Sequence, residues 1–60
     1  MNKITHLLNT KQFKEALHLA EKEVYQAAYK YAGGNQAATS RLLGVARGTL
    51  ISKLKQWNTI

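Results

Sequence analysis

The chain contains no cysteine and no proline. Without cysteine, neither a disulfide nor a thiolate metal site can brace the fold. Without proline, no residue removes a backbone donor or kinks a helix from within. Acids are scarce: Glu15, Glu21 and Glu23 are the only three, and they fall in one short run. No apolar run approaches the roughly 18 residues that crossing a bilayer requires. The opening segment Met1-Asn2-Lys3-Ile4-Thr5-His6-Leu7-Leu8 is too short and too polar to read as a signal peptide. A cytoplasmic protein with no membrane partner is the expectation.

What is present is positive charge and small apolar residues on a short chain. Sixty residues make one domain at most. A chain of this length buries only about 60% of its unfolded surface and gains from self-association. The net charge is +6, and it is unevenly placed. From Gly34 to Ile60 there are four cations, Arg41, Arg47, Lys53 and Lys55, and no acid. A basic, acid-free half beside a mixed-charge half suggests one surface for a polyanion and another for protein. No internal repeat or low-complexity linker divides the chain.

The pattern is all-α. Ile4, Leu7 and Leu8 can form an amphipathic turn or two as a lead-in. Asn9 and Thr10 then offer N-caps, with Gln12 three residues after Asn9 as in a capping box. From there to Ala32 the apolar residues Phe13, Leu17, Ala20, Val24, Ala27 and Tyr31 are spaced 4, 3, 4, 3, 4. This is a heptad-like seam on one long helix. Leu19 and Tyr25 lie off it, and Ala16 and Ala28 broaden it, so the helix is expected to pack against more than one surface. The seam could cover the remainder of its own chain. It is longer than two short helices can cover, however, which favours self-association.

Gly33 supplies the left-handed residue that ends the long helix, and Asn35 caps the next. That helix is expected from about Gln36 to Leu43, with Ala38 and Leu42 on its inner face and Leu43 beside them. Gly44 makes the turn and Val45 packs inward. The last helix runs from about Arg47 to Trp57, with Leu50, Leu54 and Trp57 at i, i+4, i+7 as its core stripe. Arg47, Gly48, Ile51, Ser52 and Lys55 face away from it. Ala46 is a poor N-cap and Gly48 a poor residue for a first turn, each costing about 1 kcal/mol. Two weak choices at one helix start suggest that another molecule approaches the backbone there. A short helix, a glycine turn and a second helix opening with Arg47 and Thr49 form the layout of a helix-turn-helix, whose second helix enters the DNA major groove.

Gly34-Asn35-Gln36, Leu43-Gly44, Arg47-Gly48-Thr49-Leu50 and Lys53-Leu54-Lys55, together with a long helix ending in Tyr31, carry a specific likeness. From about Leu17 to Asn58 the chain resembles the Fis-type helix-turn-helix, found in the nucleoid protein Fis and at the C-terminus of NtrC-type activators. The resemblance implies a homodimer built on residues 1–33 and a DNA-binding unit in residues 34–60. It implies two recognition helices in successive major grooves, DNA bending, and a cytoplasmic, nucleoid-associated regulator. The family's contact positions fall on Asn35, Arg47, Thr49, Ile51, Ser52 and Lys55. Ile51 and Ser52 stand where relatives often carry basic or polar groups, and Ala46 replaces a usual Asn or Ser.

By chemistry, Arg47 is suited to donate twice to guanine O6 and N7, or else to meet a phosphate. Thr49 and the first amides of both short helices, including those near Asn35, Gln36 and Gly48, suit phosphate. Lys53 and Lys55 add sequence-independent attraction through counterion release. Ile51 can touch a thymine methyl or rim the core. His6 and His18 are too far apart to share a metal, so no metal or cofactor is expected. No nucleophile–base pair or paired carboxylate stands out, and no catalytic residue is expected. The alternative to a DNA-binding homodimer is a module that pairs with a larger Fis-type protein and inhibits it.

Overall fold

The computed structural model describes residues 3–60. Four helices follow one another: α1 (Lys3–Asn9), α2 (Phe13–Tyr31), α3 (Gln36–Leu43) and α4 (Arg47–Gln56). There is no strand among the described residues. The lead-in is thus a helix from Lys3 onward; Met1 and Asn2 lie outside the described residues. No described helix is long and apolar enough to cross a membrane.

Glycine sets two of the helix ends. Gly33, at φ +66°, follows α2 and closes it with two bonds, Gly33 N–H to the Lys30 carbonyl and Gly34 N–H to the Tyr29 carbonyl, both at 3.0 Å. This pairing satisfies carbonyls that the helix itself leaves open. Gly44, at φ +68°, ends α3, and Val45 N–H reaches back to the Ser40 carbonyl at 3.1 Å.

The link between α1 and α2 differs from the expectation. Asn9 belongs to α1, and neither Asn9 nor Thr10 caps α2. The N-cap of α2 is Gln12, which makes no side-chain cap bond. Thr10 faces backwards, its hydroxyl donating to the carbonyls of His6 at 3.1 Å and Leu7 at 3.2 Å. Lys11 takes the left-handed position at φ +61°, and Gln12 N–H closes on the Leu7 carbonyl at 2.8 Å. The polar residues here serve the end of one helix rather than the start of the next. A left-handed conformation strains a non-glycine residue by about 1–2 kcal/mol. Lys11→Gly is therefore expected to stabilise the fold by about 0.5–1 kcal/mol, after allowing for the greater freedom of glycine in the unfolded chain. A denaturant midpoint at or below that of the wild type would show that the lysine stem contributes packing that offsets the strain.

The core is small. Leu50 and Leu54 of α4 are fully buried against Tyr25 of α2, with Tyr29, Leu43, Val45 and Trp57 packed around them. The inward stripe of α4 is as the 3.6-residue period predicts. That of α3 is not. Thr39 is fully buried and Leu43 packs on the core, whereas Leu42 is exposed and Ala38 only half-buried. The helix is turned by one position, about 100°, from the expected Ala38–Leu42 face. Thr39 can be buried because its hydroxyl donates to the Asn35 carbonyl at 2.7 Å, leaving no polar atom without a partner.

The long helix divides its faces in the same way. Tyr25 and Ala16, both off the seam or at its edge, are buried within the chain. On the seam, Phe13, Leu17, Val24, Ala27 and Tyr31 are exposed and Ala20 is half-buried. The seam does not cover the helices of its own chain.

Candidate nucleic-acid interface

The outward side of α4 is the side opposite Leu50 and Leu54. A 100° step per residue places Gly48, Ser52 and Lys55 in line there, at i, i+4, i+7, and all three are exposed. Thr49 is exposed beside them in the first turn. Arg47 is exposed too, but the same step puts it about 60° from Leu50, at the helix start on the core side rather than in the outward line. No acid lies on α4. Gln56, one turn beyond Ser52, is also exposed on this side. The sequence reading missed it, although the spacing from Ser52 is a sufficient signal.

The start of α4 is open. Its N-cap, Ala46, has extended backbone at φ −65°, ψ 143°, and no side chain caps the helix. The first intrahelical bond, Leu50 N–H to the Ala46 carbonyl at 3.0 Å, comes after the amides of Arg47, Gly48 and Thr49. Such amides and the helix dipole together favour an anion. A Cβ built on Gly48 would meet nothing within 4 Å, so this residue presents bare backbone to open space.

The start of α3 is built differently. Asn35 accepts the Ala38 N–H on its side-chain oxygen at 3.0 Å, from an extended backbone at φ −85°, ψ 110°. The side-chain oxygen of Asn35 is thereby engaged, and its NH₂ group is left to donate. Gln36 is half-buried in the first turn of α3. These two residues sit at a separate helix start from Arg47.

Besides Arg47, two expected contact residues do not share the outward side. Ile51 is half-buried on the flank of α4, between the outward side and the core. Lys53 turns towards α2. Its Nζ donates to Glu21 Oε1 at 2.9 Å and lies 5.9 Å from the centre of the Trp57 ring. Its charge is matched inside the chain rather than left for phosphate, against the expectation from sequence. Nothing in the local sequence separates Lys53 from Lys55; their difference is one of phase around the helix.

The exposed residues Tyr31 and Leu42, with Ala32, Ala38 and Arg41, line a shallow, mostly apolar depression of about 370 Å³. Among the described residues no group of three histidine, cysteine or carboxylate side chains could hold a metal ion.

A family model described as bacterial regulatory protein, Fis family, matches residues 16–57, more than half of the chain. Neither a curated protein nor a solved structure matches it. The matched span takes in most of α2 and the whole of α3 and α4.

Proposed function

Because the chain belongs to the Fis family of bacterial regulatory proteins, its helix-turn-helix marks a DNA-binding regulator domain, and we propose that it acts as a homodimer that reads the major groove with α4. The observation that carries this reading is the outward side of α4: exposed, free of acids, and led by an uncapped turn with Arg47 at its start. In this reading Arg47 meets base edges, while Thr49, the amides around Gly48, Ser52 and Lys55 meet phosphate and sugar. Asn35 and Gln36 add phosphate contacts from the start of α3, and Ile51 lies against the groove wall. Residues 1–33 pair the two copies through Phe13, Leu17, Ala20, Val24, Ala27 and Tyr31. Residues 34–60 reach the DNA. A twofold dimer would address half-sites about 34–36 Å apart, one helical turn of the duplex.

Selection of bound duplexes from a random pool tests the reading. Arg47→Ala is expected to weaken binding to the selected duplex by about 1–3 kcal/mol and to change binding to a scrambled duplex much less. Lys55→Ala is expected to weaken both alike and to reduce the slope of log affinity against log salt by about 0.9, the release of one counterion. Titrations of both duplexes at several salt concentrations separate the two. Equal losses for Arg47→Ala on both duplexes would assign Arg47 to phosphate alone. No binding by the wild type to any duplex at low salt would remove DNA as the partner and leave pairing with another Fis-type protein.

A further inference from the structure

We infer that Lys53, through its ion pair with Glu21, is a positioning residue that fixes the angle and register of α4 against α2, and so sets where the two reading helices of a dimer fall on DNA. This rests on the DNA-binding homodimer proposed above.

The apolar contact between the two helices is Leu50 and Leu54 against Tyr25. Such contact is non-directional, and leucine side chains permit one helix to slide or roll on the other. Three further contacts are directional. Lys53 Nζ donates to Glu21 Oε1 at 2.9 Å. The Trp57 ring stands edge-on to Tyr25, with ring centres 5.5 Å apart and planes at 81°. Gln26 Nε2 donates to Thr59 Oγ1 at 2.9 Å. Residues 21, 25 and 26 thus meet 53, 57 and 59 in the same order and at nearly constant separation along the chain. A slip of one helical turn, about 5.4 Å, would break all three together.

The ammonium of Lys53 joins two of these contacts, because it is bound to Glu21 and also lies 5.9 Å from the Trp57 ring centre. The Lys53 and Glu21 side chains are 30% and 34% exposed, and pairs so open to water add little to stability. Their effect is directional. In a twofold dimer an error in the setting of α4 occurs at both half-sites, and the separation of the two reading helices is what a palindromic site measures.

Lys53→Gln and Glu21→Gln separate positioning from charge. If Lys53 served as a phosphate contact, Lys53→Gln would lower affinity for all duplexes and reduce the salt slope by about 0.9. If Glu21 served only as a repelling acid, Glu21→Gln would tighten binding to every duplex, since it raises the net charge by one. Positioning gives a different result. Both substitutions are expected to weaken binding to the duplex selected by the wild-type protein about threefold per copy, and so about tenfold for a dimer that carries the pair twice, a change of about 1.4 kcal/mol. Both should leave the salt slope unaltered and move the melting temperature little. Both should also relax the preference for half-site spacing. A site lengthened by one base pair, about 3.4 Å, is strongly disfavoured by the wild type and much less so by either variant. Lys53→Arg and the exchanged pair Glu21→Lys with Lys53→Glu should restore the preference. Tighter binding by Glu21→Gln, or a reduced slope for Lys53→Gln, would overturn the assignment while leaving DNA binding in place. Failure of the wild type to bind any duplex would overturn both together.

Discussion

Leu54→Ala is expected to leave the chain largely unfolded at room temperature. Leu54 is fully buried in the cluster with Leu50 and Tyr25. Removing three carbons from such a site costs about 2–5 kcal/mol, the lost transfer energy plus the cavity left behind. A single core in a chain of this size rarely supplies more than about 3–5 kcal/mol in total, so the loss and the reserve are of similar size. The neighbours cannot easily close the gap, because Trp57 is held edge-on to Tyr25 and the α3 side is filled by Leu43. Far-ultraviolet circular dichroism and a thermal melt check this. A cooperative transition within a few degrees of the wild type would mean that stability resides mainly outside this cluster. Leu54→Met, which nearly conserves volume, should cost less than about 1.5 kcal/mol.

Leu17→Asp is expected to abolish self-association. Leu17 is 71% exposed within its own chain, and Phe13, Val24 and Tyr31 on the same stripe are 60%, 56% and 83% exposed. A carboxylate at Leu17 therefore meets water in the isolated chain and leaves the intrachain core untouched. Between two copies the same carboxylate would be desolvated among apolar side chains, at a cost of several kcal/mol. Sedimentation at tens of micromolar, on the order expected for a small obligate dimer, should show a dimer for the wild type and a monomer for Leu17→Asp. A monomeric wild type at that concentration would mean that the stripe meets something other than a second copy.

The boundaries of α3 and α4 were legible in the sequence because their signals are local. Asn35 caps, Gly44 turns, and both act within a few residues of themselves. The stripe of α4 was legible because a 3.6-residue period with three large side chains leaves little choice. The face of α3 was not. Ala38 and Leu42 look more apolar than Thr39, and only the hydroxyl bond to the Asn35 carbonyl makes Thr39 fit for burial. The junction before α2 was not legible, because the same polar residues suit either end of a helix; the left-handed backbone at Lys11 decides between them. Within the candidate interface, cations identical in sequence terms took different places. Lys55 points outward, and Lys53 finds a carboxylate 32 positions earlier, a pairing that no local pattern encodes.

The open first turn of α4 bears on how completely any interface can be mapped by substitution. Ala46 provides no cap, and the amides of Arg47, Gly48 and Thr49 lead the helix. A contact made by a peptide N–H has no side chain to delete. Truncating Arg47, Thr49, Ser52 and Lys55 one by one leaves those amides, and the partial positive charge of the helix end, in place. The losses from such a scan should therefore sum to less than the whole attraction for an anionic partner. The remainder would belong to the backbone, at a helix start where the sequence shows only an alanine at the cap and a glycine in the first turn.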